Sequence, residues 1–496
     1  MTEGAASNVA DVISKHAAAR PWAVAIIENE AVLHYRTFER LVWAAAWHFR
    51  RSGIAPGDVV GLAMPDSAVH LVAIYGLARI GAPSIALPKS DPAPLRETLA
   101  RRFGVKWVVA PLDGAGLPGV PTVVLTPARL GEAPAAISTE LRAAGGDAPW
   151  NVRRTSGTTG EPKGIARTHN AALGIWQAHA ADYLAPGDRA LCVVDLSTAT
   201  GLMAAERSFY RGGTLVIAPK IKSAPDLLNT IDIHAITHLY LTPNFLNAVL
   251  PVLPADQCRC PGLLELLVVG MAMPEMLRSE IRRRMTPNLI VQYGANEIGA
   301  LTVADRGMQE MFPETVGKVR PGVEVQIVDD DDLPVEPGQA GIIRARAPWM
   351  ASGYINPENA ARPNFRDGWL YPGDTGVLNG DGMLFLKGRV DDMMNFDGIK
   401  IFPADIEEAL LAHPAVVDAV AFPVASSAHQ HLPAASVILR ETASPDALLA
   451  HCRRLLGVRS PVLISIETGF PRNATGKVLR HQLAAKLAPN LPASMR

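Results

Sequence analysis

The chain has 496 residues, too many for one hydrophobic core, so two or more domains are expected. Hydrophobic residues make up 48% and charged residues 19%, the balance of a soluble enzyme, and a net charge of -1 removes any electrostatic case for nucleic-acid binding. Lys and Arg are scattered, so no basic run marks a membrane or polyanion surface. The four cysteines (Cys192, Cys258, Cys260 and Cys452) support neither a disulfide framework nor zinc, because the lone Cys-x-Cys pair has no second ligand pair. A reducing compartment fits, residues 1–15 lack an apolar signal-peptide core, and a cytoplasmic location is expected.

In chain order, residues 33–39 open a helix that runs through Val42, Ala46 and Phe49 and stops at Gly53. Pro56-Gly57-Asp58 turns the chain into an apolar strand over 59–64. A helix over 68–80 and a strand over 84–87 follow; Gly76, Arg79, Gly81 and Pro83 interrupt this apolar stretch, so it is not a membrane span. Strands alternating with helices imply parallel pairing and a layered α/β domain. Residues 113–149 are rich in Ala, Gly and Pro and read as surface connections.

The chemistry starts at Thr155-Ser156-Gly157-Thr158-Thr159-Gly160-Glu161-Pro162-Lys163-Gly164. Its glycines allow a sharp turn and close approach to a ligand. Backbone N–H groups, hydroxyls and the Lys163 charge together make a polyphosphate-binding nest. A Walker loop would need Gly before the lysine and Ser or Thr after it; Pro162 and Gly164 stand there instead. Arg153 and Arg154 before the loop read as solvent-facing positions on the approach strand, with a contact to an anionic ligand as the second reading.

This loop resembles the signature of the adenylate-forming enzymes: AMP-forming acyl-CoA synthetases, luciferases and adenylation domains. Further segments fall in that superfamily's order. Gly270-Met271-Ala272 partly matches the loop that lies against adenine. Tyr293-Gly294-Ala295-Asn296-Glu297 resembles the Tyr-Gly-x-(Thr/Ser)-Glu segment, with Asn296 in the hydroxyl position. Tyr371-Pro372-Gly373-Asp374 and Gly388-Arg389-Val390-Asp391 also match, as does the Gly-Lys segment ending in Lys477. The resemblance implies that Thr155, Ser156, Gly157, Thr158, Thr159, Gly160 and Lys163 hold ATP phosphates. It implies that Tyr293 and Gly294 face the purine, Asp374 and Arg389 hold the ribose or phosphate, and Glu297 holds Mg²⁺. Lys477 becomes the catalytic lysine, assisted by Asn296; Asp391 becomes a hinge, and Gly398 lines a thiol path. Thr198, Gly201 and Ala295 are small residues expected around the acid. Asp195 tempts as an ammonium partner, but a strand-end Asp capping the next turn is preferred.

The implied fold is a large N-terminal α/β domain with a β-rich subdomain (1–388), a hinge at 389–391 and a small mobile α+β domain (392–496). The implied activity is an AMP-forming acid–thiol ligase using ATP, Mg²⁺ and CoA, as monomer or homodimer. An alternative is a stand-alone adenylation enzyme loading an amino or aryl acid onto a phosphopantetheine carrier protein. A nucleotide-binding regulator with degenerate chemistry is the reading from another class; intact Glu297, Asp374, Arg389 and Lys477 oppose it.

Overall fold

The structure, a computed structural model, describes residues 7–111, 116–134, 141, 143, 145–155, 163–218, 221–270, 273–355, 363–396, 399–426, 430–472 and 478–490. The chain forms two compact units. The first comprises Met1–Pro313, Val319–Glu324 and Arg346–Leu370; the second comprises Glu314–Lys318, Val325–Ala345 and Tyr371–Arg496.

The first unit is built on two sheets. One runs Thr122–Val124, Val105–Ala110, Val59–Leu62, Ser84–Ala86, Pro149–Thr155, Lys163–Thr168, parallel except for the final hairpin. The other orders Ala31–His34, Val24–Glu28, Thr214–Ile217, Arg189–Cys192, His238–Leu241, Glu265–Val268, Leu289–Ala295 and Gly299–Ala304. Its interior strands are parallel and its outermost strand at each end is antiparallel. Parallel strands need crossover helices, and the alternation of apolar strand and helix along the chain supplies them. Helix Ala68–Arg79 is buried almost all round, which explains why its sequence is apolar without a polar face; Ser67 caps it by accepting the His70 N–H.

The α/β class expected from the sequence is the one found. Residues 113–149 are more than surface connections, however. They contain strand Thr122–Val124, which extends the sheet, and helix Pro127–Gly131, capped by the Thr126 hydroxyl. Elements of three and five residues are too short to carry a periodic signature, so the Ala/Gly/Pro-rich composition hid them.

In the second unit, strands Asp374–Leu378 and Met383–Arg389 form an antiparallel hairpin, flanked by Ala340–Arg346 on one side and Gly317–Val319 on the other. A further sheet is centred on the long antiparallel pair Val416–Ser426, of 11 residues, and Gln430–Leu439, of 10 residues. Helix Pro403–Leu411 packs in this unit, and Lys387 reaches Asp405 on it at 2.8 Å. Among the described residues no helix is long and apolar enough to cross a membrane.

Candidate active site

The phosphate-loop candidate is the connection of the antiparallel hairpin Pro149–Thr155/Lys163–Thr168, where Thr155 pairs with Lys163. Ser156, Gly157, Thr158, Thr159 and Gly160 lie outside the described residues. Strand alternation puts Arg153, Lys163, Ile165 and Arg167 on one face and Arg154, Gly164 and Ala166 on the other.

Lys163 is the outermost of the first set. Its Nζ donates to the Asn364 Oδ1 at 3.2 Å and lies 5.0 Å from the centre of the Tyr354 ring, a cation–π arrangement. The Tyr354 hydroxyl donates to Glu297 Oε1 at 2.8 Å. One tyrosine therefore carries the lysine on its face and the carboxylate on its tip. The backbone fixes this group twice more: Ala351 N–H donates to the Glu297 carbonyl and Ile355 N–H to the Gly164 carbonyl, both at about the usual hydrogen-bond length. Glu297 is only 8% exposed, so its carboxylate sits in a sheltered place. Asn296 turns the other way and donates from Nδ2 to the Arg154 carbonyl at 3.0 Å, tying this turn to the hairpin.

Tyr293 and Ala295 are half-buried on strand Leu289–Ala295, and Gly294 between them is needed for close approach: a Cβ there would meet the Gly299 carbonyl oxygen at 2.2 Å. Gly270 follows strand Glu265–Val268 with φ +89°, and Met271 and Ala272 lie outside the described residues. Thr198 is the N-cap of helix Ala199–Arg211, accepting from the Gly201 N–H at 3.0 Å and donating to the Asp195 carbonyl at 2.7 Å. Gly201 is small for a local reason, since a Cβ would meet that same carbonyl at 2.2 Å. The turn is not capped by the Asp195 carboxylate, as the sequence led us to prefer. Thr198 caps it from inside, and Asp66 accepts the Leu196 N–H on both carboxylate oxygens at 3.1 Å. Burial, with Asp195 nearby, raises Asp66 to about 6.

The solvent-facing reading of Arg153 is corrected. It is buried, not solvent-facing, and its guanidinium donates to Glu206, whose other oxygen accepts from Trp176 Nε1 at 3.3 Å. Alternation decides this: the inward face of the hairpin meets helices His169–Ala178 and Ala199–Arg211, while Arg154 on the outward face pairs with Asp91 at 2.6 Å. Tyr354, Asn364, Glu206 and Asp66 carried no sequence signal; each is polar at a position that only tertiary folding brings to the site.

In the second unit Asp374 and Arg389 are brought together, with Arg389 Nη1 donating to Asp374 Oδ1 at 2.9 Å and to the Pro372 carbonyl at 2.8 Å. Asp391 is exposed in the turn after strand Met383–Arg389. Lys477 and Gly398 lie outside the described residues.

The fold is that of the adenylate-forming enzymes. It superposes with TM-score 0.85 on the anthranilate CoA ligase AuaEII in complex with anthranoyl-AMP, over 98% of each chain at 23% identity. The o-succinylbenzoate CoA synthetase of Bacillus subtilis with its acyl-adenylate gives 0.83, over 95% of this chain and 97% of that one at 24% identity. The chain belongs to the AMP-binding enzyme family: the family model matches residues 13–355, and that of the AMP-binding enzyme C-terminal domain matches 405–477. It is an ATP-dependent, AMP-forming ligase. Among curated relatives, a 2-succinylbenzoate–CoA ligase of Bacillus velezensis is 31% identical over 66% of this chain and 67% of its own. A 3-hydroxybenzoate–CoA ligase of an Aromatoleum species is 29% identical over 92% of both.

Proposed function

We propose that the protein joins an aromatic carboxylic acid to coenzyme A through an acyl-adenylate. Relatives named as ligases of 2-succinylbenzoate, 4-coumarate and 3-hydroxybenzoate support both the acceptor and the acid class. The observation that carries the reading is the Lys163–Tyr354–Glu297 group at the base of the glycine-rich hairpin.

The acid's carboxylate attacks the α-phosphate of ATP and pyrophosphate leaves, so two anions must meet while charge grows on the phosphorus oxygens. Preorganised donors stabilise that charge without reorganising. The loop from Thr155 and the Lys163 ammonium would hold the outer phosphates. Glu297 suits Mg²⁺, which takes one or two carboxylates and completes its shell with phosphate oxygens and water. Its sheltered carboxylate is fixed through one oxygen by Tyr354, and among the described residues no cluster of three His, Cys, Asp or Glu competes. When bound, the metal supplies positive charge to the transferring phosphate. Tyr293 would stack on adenine, while Asp374, held by Arg389, would accept from the ribose hydroxyls. Lys477 would bridge carboxylate and α-phosphate. The C-terminal part would then turn at Asp391, withdrawing Lys477 and presenting Gly398 to the incoming thiol. Few cysteines and no disulfide framework favour a cytoplasmic setting.

The test is pyrophosphate release and thioester formation over aromatic, branched and long-chain acids, with CoA set against a phosphopantetheinyl carrier protein. Lys477→Ala is expected to slow adenylate formation by about 10²–10³ while sparing thioester formation from supplied acyl-adenylate. Absence of pyrophosphate release with every acid would overturn the activity, preference for the carrier would overturn the acceptor, and equal loss of both half-reactions would overturn the turning of the C-terminal part.

A further inference from the structure

Arg167 lies on the inward face of the phosphate-loop hairpin, four residues along the strand from Lys163 and so about 13 Å away. It is 6% exposed, yet no hydrogen bond or ion pair joins its guanidinium to any described residue, and its Nε is buried without a partner. One Nη stands 3.8 Å from the position of a Cβ on Gly299, the residue paired with Ala295. The nearest carboxylates are committed elsewhere. Glu206 accepts from Arg153 and Trp176, and Glu297 accepts from Tyr354; both act on Arg167 only through space. Burial, then the Arg153 charge, lower Arg167 to about 9, which still leaves it a cation at neutral pH.

A buried guanidinium with no hydrogen-bonded partner among the described residues is costly, by several kcal/mol in general, and persists where function retains it. Five donors in a planar fork match a carboxylate. The outer phosphates belong to the Lys163 end of the strand, and Arg167 sits instead beside the Ala295–Gly299 turn. We propose that Arg167 binds a second carboxylate on the acid substrate, making the preferred acid a dicarboxylate activated at one end and held at the other. The proposal rests on the acid–CoA ligase reading and narrows its substrate class.

The experiment compares matched acids on the full-length enzyme: benzoate against the three benzenedicarboxylates, and hexanoate against hexanedioate. Wild-type enzyme is expected to favour at least one dicarboxylate over its monocarboxylate partner by tenfold or more in kcat/KM. Arg167→Met is expected to erase that preference through KM of the dicarboxylate, leave the monocarboxylate within about threefold, and leave the KM for ATP unchanged. Arg167→Lys is expected to restore part of it. Binding is read separately as thermal stabilisation by the dicarboxylate without ATP, expected in the wild type and absent in Arg167→Met. The ligand-free Arg167→Met protein is expected to melt no lower than wild type. No dicarboxylate preference, a preference that survives Arg167→Met, a rise in the KM for ATP common to all acids, or a large drop in melting temperature would each overturn the proposal. Absence of pyrophosphate release with every acid, alongside intact Arg167-dependent stabilisation by a dicarboxylate, would overturn the activity and leave the binding site standing.

Discussion

Two buried arginines of the first unit stand in opposite situations. Arg207 grips Glu265 with one Nη at 2.7 and 2.8 Å from the two carboxylate oxygens, donates from Nε to the Tyr240 hydroxyl at 3.0 Å and reaches the Asp182 carbonyl at 2.6 Å. Tyr183 and Tyr240 present ring faces to it at 5.1 and 5.5 Å. Burial is the largest influence and works against its charge, but Glu265, Tyr240 and Tyr183 together overcome it and Arg207 is raised above the ordinary arginine range. Arg167 has the same burial with none of these partners, and is lowered. Arg207 is complete as folded and fastens strand Glu265–Val268 to helix Ala199–Arg211; the Arg167 guanidinium has no hydrogen-bonded partner among the described residues. A protein keeps the first arrangement for stability and the second for binding.

The sharpest way to break this contrast is to remove Arg207. Arg207→Leu strips the cation from buried Glu265 and is expected to cost about 3–5 kcal/mol in urea or thermal unfolding. A cost below about 1 kcal/mol, or one matched by Arg167→Met, would erase the distinction between the two sites. Glu297 lies between the extremes, buried with one oxygen engaged. Glu297→Gln is expected to lower kcat by about 10²–10³ and to raise the Mg²⁺ concentration needed for half-maximal rate. Its melting temperature should barely move, because the amide oxygen can still accept from Tyr354. An unfolding defect instead would make Glu297 a fastener like Arg207. The smallest effect is expected from Tyr354→Phe, which deletes one hydrogen bond to a carboxylate, worth about 1.5–3 kcal/mol of stability, and keeps the ring beside Lys163. Steady-state rates should fall by about tenfold or less, and a collapse like that of Glu297→Gln would move the tyrosine into the chemistry itself.

The legible parts of the site were short runs in which neighbours in sequence act together. The glycine-rich hairpin, the turn carrying Glu297 and the Asp374 and Arg389 segments could be read because the spacing of glycines, hydroxyls and charges is itself the signal. Tyr354 carries no such spacing: a tyrosine after Ser-Gly is unremarkable until its hydroxyl is seen 2.8 Å from Glu297. Thr198 and Gly201, expected around the acid, are also small for a reason within the chain. Their size answers a local need, a helix cap and the approach of the Asp195 carbonyl.

Arg153 and Arg154 mark the division most clearly. Composition, order of motifs and alternation of strand and helix were enough to indicate an α/β adenylate-forming chain with a glycine-rich loop expected to hold phosphate, because local periodicity and loop chemistry are properties of adjacent residues. Which face of that hairpin is buried, and so which arginine meets Glu206 inside and which meets Asp91 outside, depends on what packs across it. The counter-charge for a buried cation comes from residues tens of positions away, and only the folded chain decides whether it arrives in hydrogen-bond contact, as for Arg207, or acts only through space, as for Arg167.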